Sequence, residues 1–325
     1  MSADSGRRVR RSRREIPAGP DKATPRHGSA FTRLRRTSGL SFLDSRRPSG
    51  QLTLFGAVRG ELRKMLSLRS TWVLLLIVML LQPLSTGLMA CATRVLAGLG
   101  WQTNHLLAHL LPASSDVFWS AVVSGLFPGM IVAGILGVLV LTREFSGATI
   151  ESTLTANPRR GMVLMAKGLA LALSTWLAAQ VGLLFSWILA ALLLPGRSWT
   201  LPAYKPGLAL LDLLGGPLIL VLFALMGLGL GALSRSRAGG VGLFLGLTLI
   251  LPLILGLLGG LVPHVGWLQA PFRLTPTSLL VTFLSGLNRA AETGIGWWQA
   301  GLILMIWTAL CCALGTLVFR RADIG

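Results

Sequence analysis

Residues 142–167 read TREFSGATIESTLTANPRRGMVLMAK. Arg143, Glu144, Glu151, Arg159, Arg160 and Lys167 mix charges of both signs here. GMIVAGILGVLVL precedes the stretch (129–141) and GLALALSTWLAAQVGLLFSWILAALLL follows it (168–194). Ionised side chains are costly at the centre of a bilayer, so the charged stretch belongs in water or against another protein. The first of these uncharged runs reaches back to Val117, and both are then long enough to cross a hydrocarbon core of about 30 Å as helices. That reading makes the chain an all-α membrane protein, because helices and closed barrels alone satisfy their backbone in lipid.

Composition agrees. Of 325 residues 53% are hydrophobic and 13% are charged, with a mean hydropathy of +0.69, whereas soluble domains carry roughly 25% charged residues. The net charge is +19, and residues 1–70 supply 17 of the 30 Lys+Arg. Cys91, Cys311 and Cys312 all fall in apolar runs. They read as small packing residues rather than a disulfide framework or a metal site.

Working outward, six apolar segments are long enough to cross: about 72–92, 118–141, 162–194, 209–233, 239–262 and 297–319. Pro83 is expected to kink the first. The third is longer than a crossing requires and should tilt or begin outside the core. Lys and Arg concentrate on the inner side of such membranes. With the N-terminus inside, 25 of the 30 fall on inner segments. Both termini are then expected in the cytoplasm of a multi-pass protein of the plasma membrane. Trp101, Trp119, Trp199, Trp267, Trp297 and Trp298 would gather at the outer interface.

Three further regions stand apart from the spans. Residues 1–50 are basic, poor in apolar side chains, and expected to be disordered. They read as a solvated tail, with no nucleic-acid partner expected. They do not read as a secretory signal, because no apolar region follows the charges closely. Residues 51–70 place Leu54, Phe55, Val58, Leu62, Met65 and Leu66 at helical spacing, with Arg59, Glu61, Arg63, Lys64 and Arg69 opposite. That pattern suits an amphipathic helix lying at the membrane surface, leaving 71–325 as the six-span domain. Between the last two spans, SLLVTFLSGL (278–287) is apolar but too short to cross, and reads as re-entrant or interfacial. Gly227 and Gly231, and Gly242 and Gly246, are spaced to bring helices close together.

Several chemistries find no residues. No G-x-x-x-x-G-K-[ST] stretch is present to cradle a nucleotide, so the chain itself is not expected to be an enzyme. His105 and His109 have helical zinc spacing, with Asp116 nearby, but a third ligand is not evident. Asp212 is the one acid near a span, which speaks against a proton relay. No catalytic, cofactor or metal residues are assigned.

Within the opening stretch, Ser146–Leu154 can form a short helix with Ile150 and Leu154 on one face and Glu151 exposed. Asn157-Pro158 ends it and starts the next helix, as an N-cap followed by a first-turn proline does. Helix, sharp turn and helix then lie on the inner side.

This stretch resembles the first intracellular loop of permease subunits in the type-2 ABC transporter family. Glu144, Ser146, Gly147, Thr149, Ile150, Leu154, Pro158, Arg160 and Lys167 carry the likeness, with Ala148 between Gly147 and Thr149. Glu61-Leu62-Arg63-Lys64 before the first span and Phe319-Arg320-Arg321-Ala322-Asp323 at the end are similar too. The likeness covers about 51–325. It implies a coupling helix in Gly147–Leu154, docked on a separate ATP-binding cassette subunit that holds ATP and magnesium. It also implies a second permease copy, alike or different, and export as the direction of transport. Glu144, Ser146, Gly147, Thr149, Ile150, Glu151, Leu154, Pro158, Arg159 and Arg160 are then the expected contact residues. A secondary transporter or channel is the alternative, as is a regulatory or immunity membrane protein that translocates nothing.

Overall fold

The computed structural model describes residues 54–98, 117–146, 160–194, 206–261, 269–284 and 294–321. Helix α1 (Leu54–Ser67) precedes span one, α2 (Arg69–Gly98). Span two is α3 (Val117–Val123) running on into α4 (Leu126–Ser146). Spans three and four are α5 (Arg160–Leu193) and α6 (Pro206–Ser234). Span five is α7 (Arg237–Leu245), a π-helical turn at Gly246–Ile250, and α8 (Leu251–Leu261). Two short helices follow, α9 (Gln269–Arg273) and α10 (Pro276–Leu284), before span six, α11 (Trp297–Arg321). Six helices are therefore long and apolar enough to cross a membrane, and no strand occurs among the described residues.

Burial ranks the spans. The most apolar stretch of span four is 67% buried and that of span two 61%, against 17% for span five. Spans two and four form the centre because glycine removes the side chains between them. A Cβ on Gly137 would overlap the carbonyl of Ala224, and one on Gly227 would overlap the carbonyl of Gly134. Gly229 and Gly315 bring span six equally close to span four. Small residues permit such backbone approach in lipid, where helices associate by packing rather than by escape from water. Phe244 of span five fills the space over Gly134 and meets Phe223 edge to face, with ring centroids 6.5 Å apart. Of the glycine pairs singled out in the sequence, Gly227 and Gly231 face span two, while Gly242 and Gly246 face open space.

Prolines fix the irregular places. Pro83 has no N–H, so the carbonyl of Met79 loses its helical donor, and Gly182 of span three packs directly against that oxygen. Beside it, fully buried Gln82 donates from Nε2 to the carbonyl of Ala179 at 3.0 Å. Pro252 likewise denies a donor to the carbonyl of Thr248, inside the π turn. The Thr277 hydroxyl, from α10, donates to that carbonyl instead.

The hydrogen bonds of α9 and α10 set their depth. Trp307 Nε1 donates to the carbonyl of Leu274 at 3.0 Å. Trp307 lies ten residues into span six, about 15 Å along its axis from Trp297. Thr248 lies thirteen residues before the end of span five, about 20 Å from Leu261. The α9–α10 hairpin therefore turns back at a depth near the middle of a hydrocarbon core of about 30 Å. The expected helix of 278–287 is present as Pro276–Leu284, and it is the returning arm of this hairpin.

Candidate functional site

One end of the bundle, the base, gathers the polar contacts. Span two reaches it at Ser146 and span three leaves it at Arg160, so the segment 147–159 joins two span ends. Glu144 and Ser146 sit in the last turn of α4, and Arg160 opens α5. Gly147, Thr149, Ile150, Glu151, Leu154, Pro158 and Arg159 lie outside the described residues. So do His105, His109 and Asp116. Among the described residues no cluster of three metal-binding side chains occurs.

Three ties hold the base together. Lys167, two turns into α5, is buried, and its Nζ lies 2.6 Å from Glu61 Oε2 of α1. A lysine so enclosed requires a paired and hydrogen-bonded carboxylate. Arg143, at the end of α4, donates from Nη1 to the hydroxyl of fully buried Thr71 in span one, at 3.4 Å. Arg235, between spans four and five, donates from Nη2 to the carbonyl of Val318 in span six, at 3.1 Å. Its φ of 52° is the left-handed geometry that ends a helix, and its N–H returns to the carbonyl of Gly231. Ser236 then caps α7 by accepting from the N–H of Gly239 at 2.9 Å.

Helix α1 belongs to this base. Leu68 separates it from span one, and Trp72 Nε1 closes the corner on the carbonyl of Leu66 at 2.6 Å. Val58, Leu62, Met65 and Leu66 pack inward, while Arg59, Arg63, Lys64 and Arg69 are exposed. Phe55, placed on the apolar face by its spacing, is 78% exposed. The helix packs on span three, with the Glu61–Lys167 pair between them. The sequence marks both residues, but nothing local links positions 106 apart.

The segment between α4 and α5 thus connects two span ends at a base whose neighbouring helices are cross-tied. A model of the family described as "ABC-2 family transporter protein" matches residues 57–324. The chain belongs to the ABC-2 transporter family. No curated protein matches it. The family match begins inside α1, so it takes in Glu61 and leaves out the basic residues at the N-terminus. As an ABC-2 permease the protein is a multi-pass membrane transporter component.

Proposed function

We propose that this ABC-2 permease forms the translocation pathway of an ATP-driven exporter, with the base in the cytoplasm of the plasma membrane. The chain works as one of two permease copies. ATP and magnesium are held by a separate ATP-binding subunit, since this chain has no phosphate-cradling loop. That subunit docks on 147–159, with Glu144, Glu151, Arg159 and Arg160 carrying charged contacts and Ile150 and Leu154 an apolar one. One observation carries the reading: the docking segment follows α4 directly in the chain, and α4 meets the most buried span at glycines that bring the two backbones into contact. A push on the segment moves α4 as a rigid body against α6. The excess of Lys and Arg at the base supports the orientation.

The test is purification of the tagged full chain from its native membrane in mild detergent. A stoichiometric ATP-binding subunit is expected, and it should be lost when Thr149–Leu154 is scrambled. Glu151→Ala with Arg160→Ala should weaken the complex or uncouple ATP hydrolysis from transport. A homogeneous folded permease without an ATPase would transfer the function to gradient-driven transport or to a regulatory role.

A further inference from the structure

A cavity of about 510 Å³ lies between span five and the α9–α10 hairpin. It is separate from the base and from the segment that receives the ATP-binding subunit. One wall is apolar: Leu249, Leu253 and Leu257 of span five face Phe272 and Val281 of the hairpin. Gly256 leaves the room, since a Cβ there would lie 3.3 Å from the Phe272 ring. The other wall carries Arg273 with the hydroxyls of Thr277, Ser278 and Thr282. Leu253 and Leu257 are 61% and 60% exposed on a membrane span, so the mouth of the cavity opens toward hydrocarbon.

Arg273 is the unusual member. It closes α9, one residue before the carbonyl that Trp307 holds, and therefore sits near the middle of the membrane. A cation at that depth is costly and marks a site by default. A guanidinium is the side chain best suited to grip a phosphate or carboxylate through two parallel hydrogen bonds. Thr277 and Ser278 lie in the first turn of α10, where the helix dipole also favours negative charge.

We propose that this cavity binds a membrane-borne amphiphile with an anionic head. The head sits on Arg273 with the Ser278 and Thr282 hydroxyls, and the chain lies along Leu249, Leu253, Leu257 and Phe272. A free inorganic anion would leave the apolar wall unmatched and would have to enter through hydrocarbon. A zwitterionic lipid carries its own cation beside the phosphate and competes with Arg273 for it. Entry is lateral, from the half of the bilayer opposite the base.

The experiment uses the full chain alone in phosphatidylcholine nanodiscs, so its outcome does not depend on any ATP-binding partner. The probes are phosphatidylglycerol and phosphatidylcholine carrying the same photoactivatable acyl chain, with crosslinked peptides mapped by mass spectrometry. Phosphatidylglycerol should label 249–257 and 272–282 about fivefold more than phosphatidylcholine does. Arg273→Gln should reduce it to the phosphatidylcholine level, and Arg273→Lys should retain part of the preference. Leu253→Trp should block both probes, since its exposed side chain can be enlarged without disturbing the core. Millimolar inorganic phosphate should not compete. Equal labelling by the two probes of the unaltered protein overturns the proposal and makes the cavity a crevice for any lipid. Competition by inorganic phosphate overturns it in favour of a free-anion site.

Discussion

The side chain of Lys167 is 3% exposed, and its ammonium pairs with the carboxylate of Glu61. Removing one partner of a buried pair is worse than removing both, because the survivor stays charged and enclosed. Glu61→Gln should lower the stability of the purified protein by about 3 kcal/mol. Replacing the pair together, as Glu61→Leu with Lys167→Met, should recover most of the loss. Thermal unfolding in detergent reads both, and an unchanged midpoint for Glu61→Gln would remove the pair from the base. The glycines make a second contrast at this scale. Gly227→Ala forces a methyl onto the Gly134 backbone and should cost about 1–3 kcal/mol. Gly242→Ala meets open space and, replacing the poorer helix former, should be neutral or slightly stabilising. Spacing alone proposes both glycine pairs. Which pair touches a neighbour depends on how each helix is rotated, and a single chain's periodicity does not fix that when the whole helix is apolar.

Among the elements, span five is the one whose regularity is broken and repaired from elsewhere. Pro252 removes a donor, the π turn widens the helix, and Thr277 supplies the missing hydrogen bond. Thr277→Val should therefore destabilise by about 1 kcal/mol, near the range measured for hydrogen bonds between membrane helices. Pro252→Ala should suppress that loss by restoring an N–H within span five. Purely additive effects in the double variant would show that the two residues act separately. The spans are legible in the sequence because hydropathy is local and a crossing has a fixed length. The hairpin is legible only in part. Its apolar arm stands out, but Arg273 counts in the sequence as an ordinary loop cation. Its depth is set by Trp307 and Thr248, 34 and 25 positions away by residue number.

For the molecule as a whole, the base and the opposite end should differ in access. In a background without the native cysteines, Ser67→Cys lies exposed at the base and Arg94→Cys lies exposed near the far end of span one. A membrane-impermeant maleimide should modify Arg94→Cys in intact cells and Ser67→Cys only after permeabilisation. The reverse pattern would invert the proposed orientation and place the docking segment on the wrong side for ATP. The candidate site divides at this scale as well. Its anchors at Glu144, Ser146 and Arg160 fall at span ends, where the sequence places them, whereas the ties that stiffen them join distant helices.

The α9–α10 hairpin has a consequence for how the chain is made. It is too short to cross, and its turn carries Arg273 and Pro276. The carbonyl of Leu274 waits for Trp307, which is synthesised 33 residues later. Until span six emerges, the hairpin has one finished wall and no reason to stay in lipid. The insertion machinery must hold it in a wet or protein-lined place during that interval, and a chain truncated before Trp307 would present an unsealed loop to the proteases that patrol the membrane.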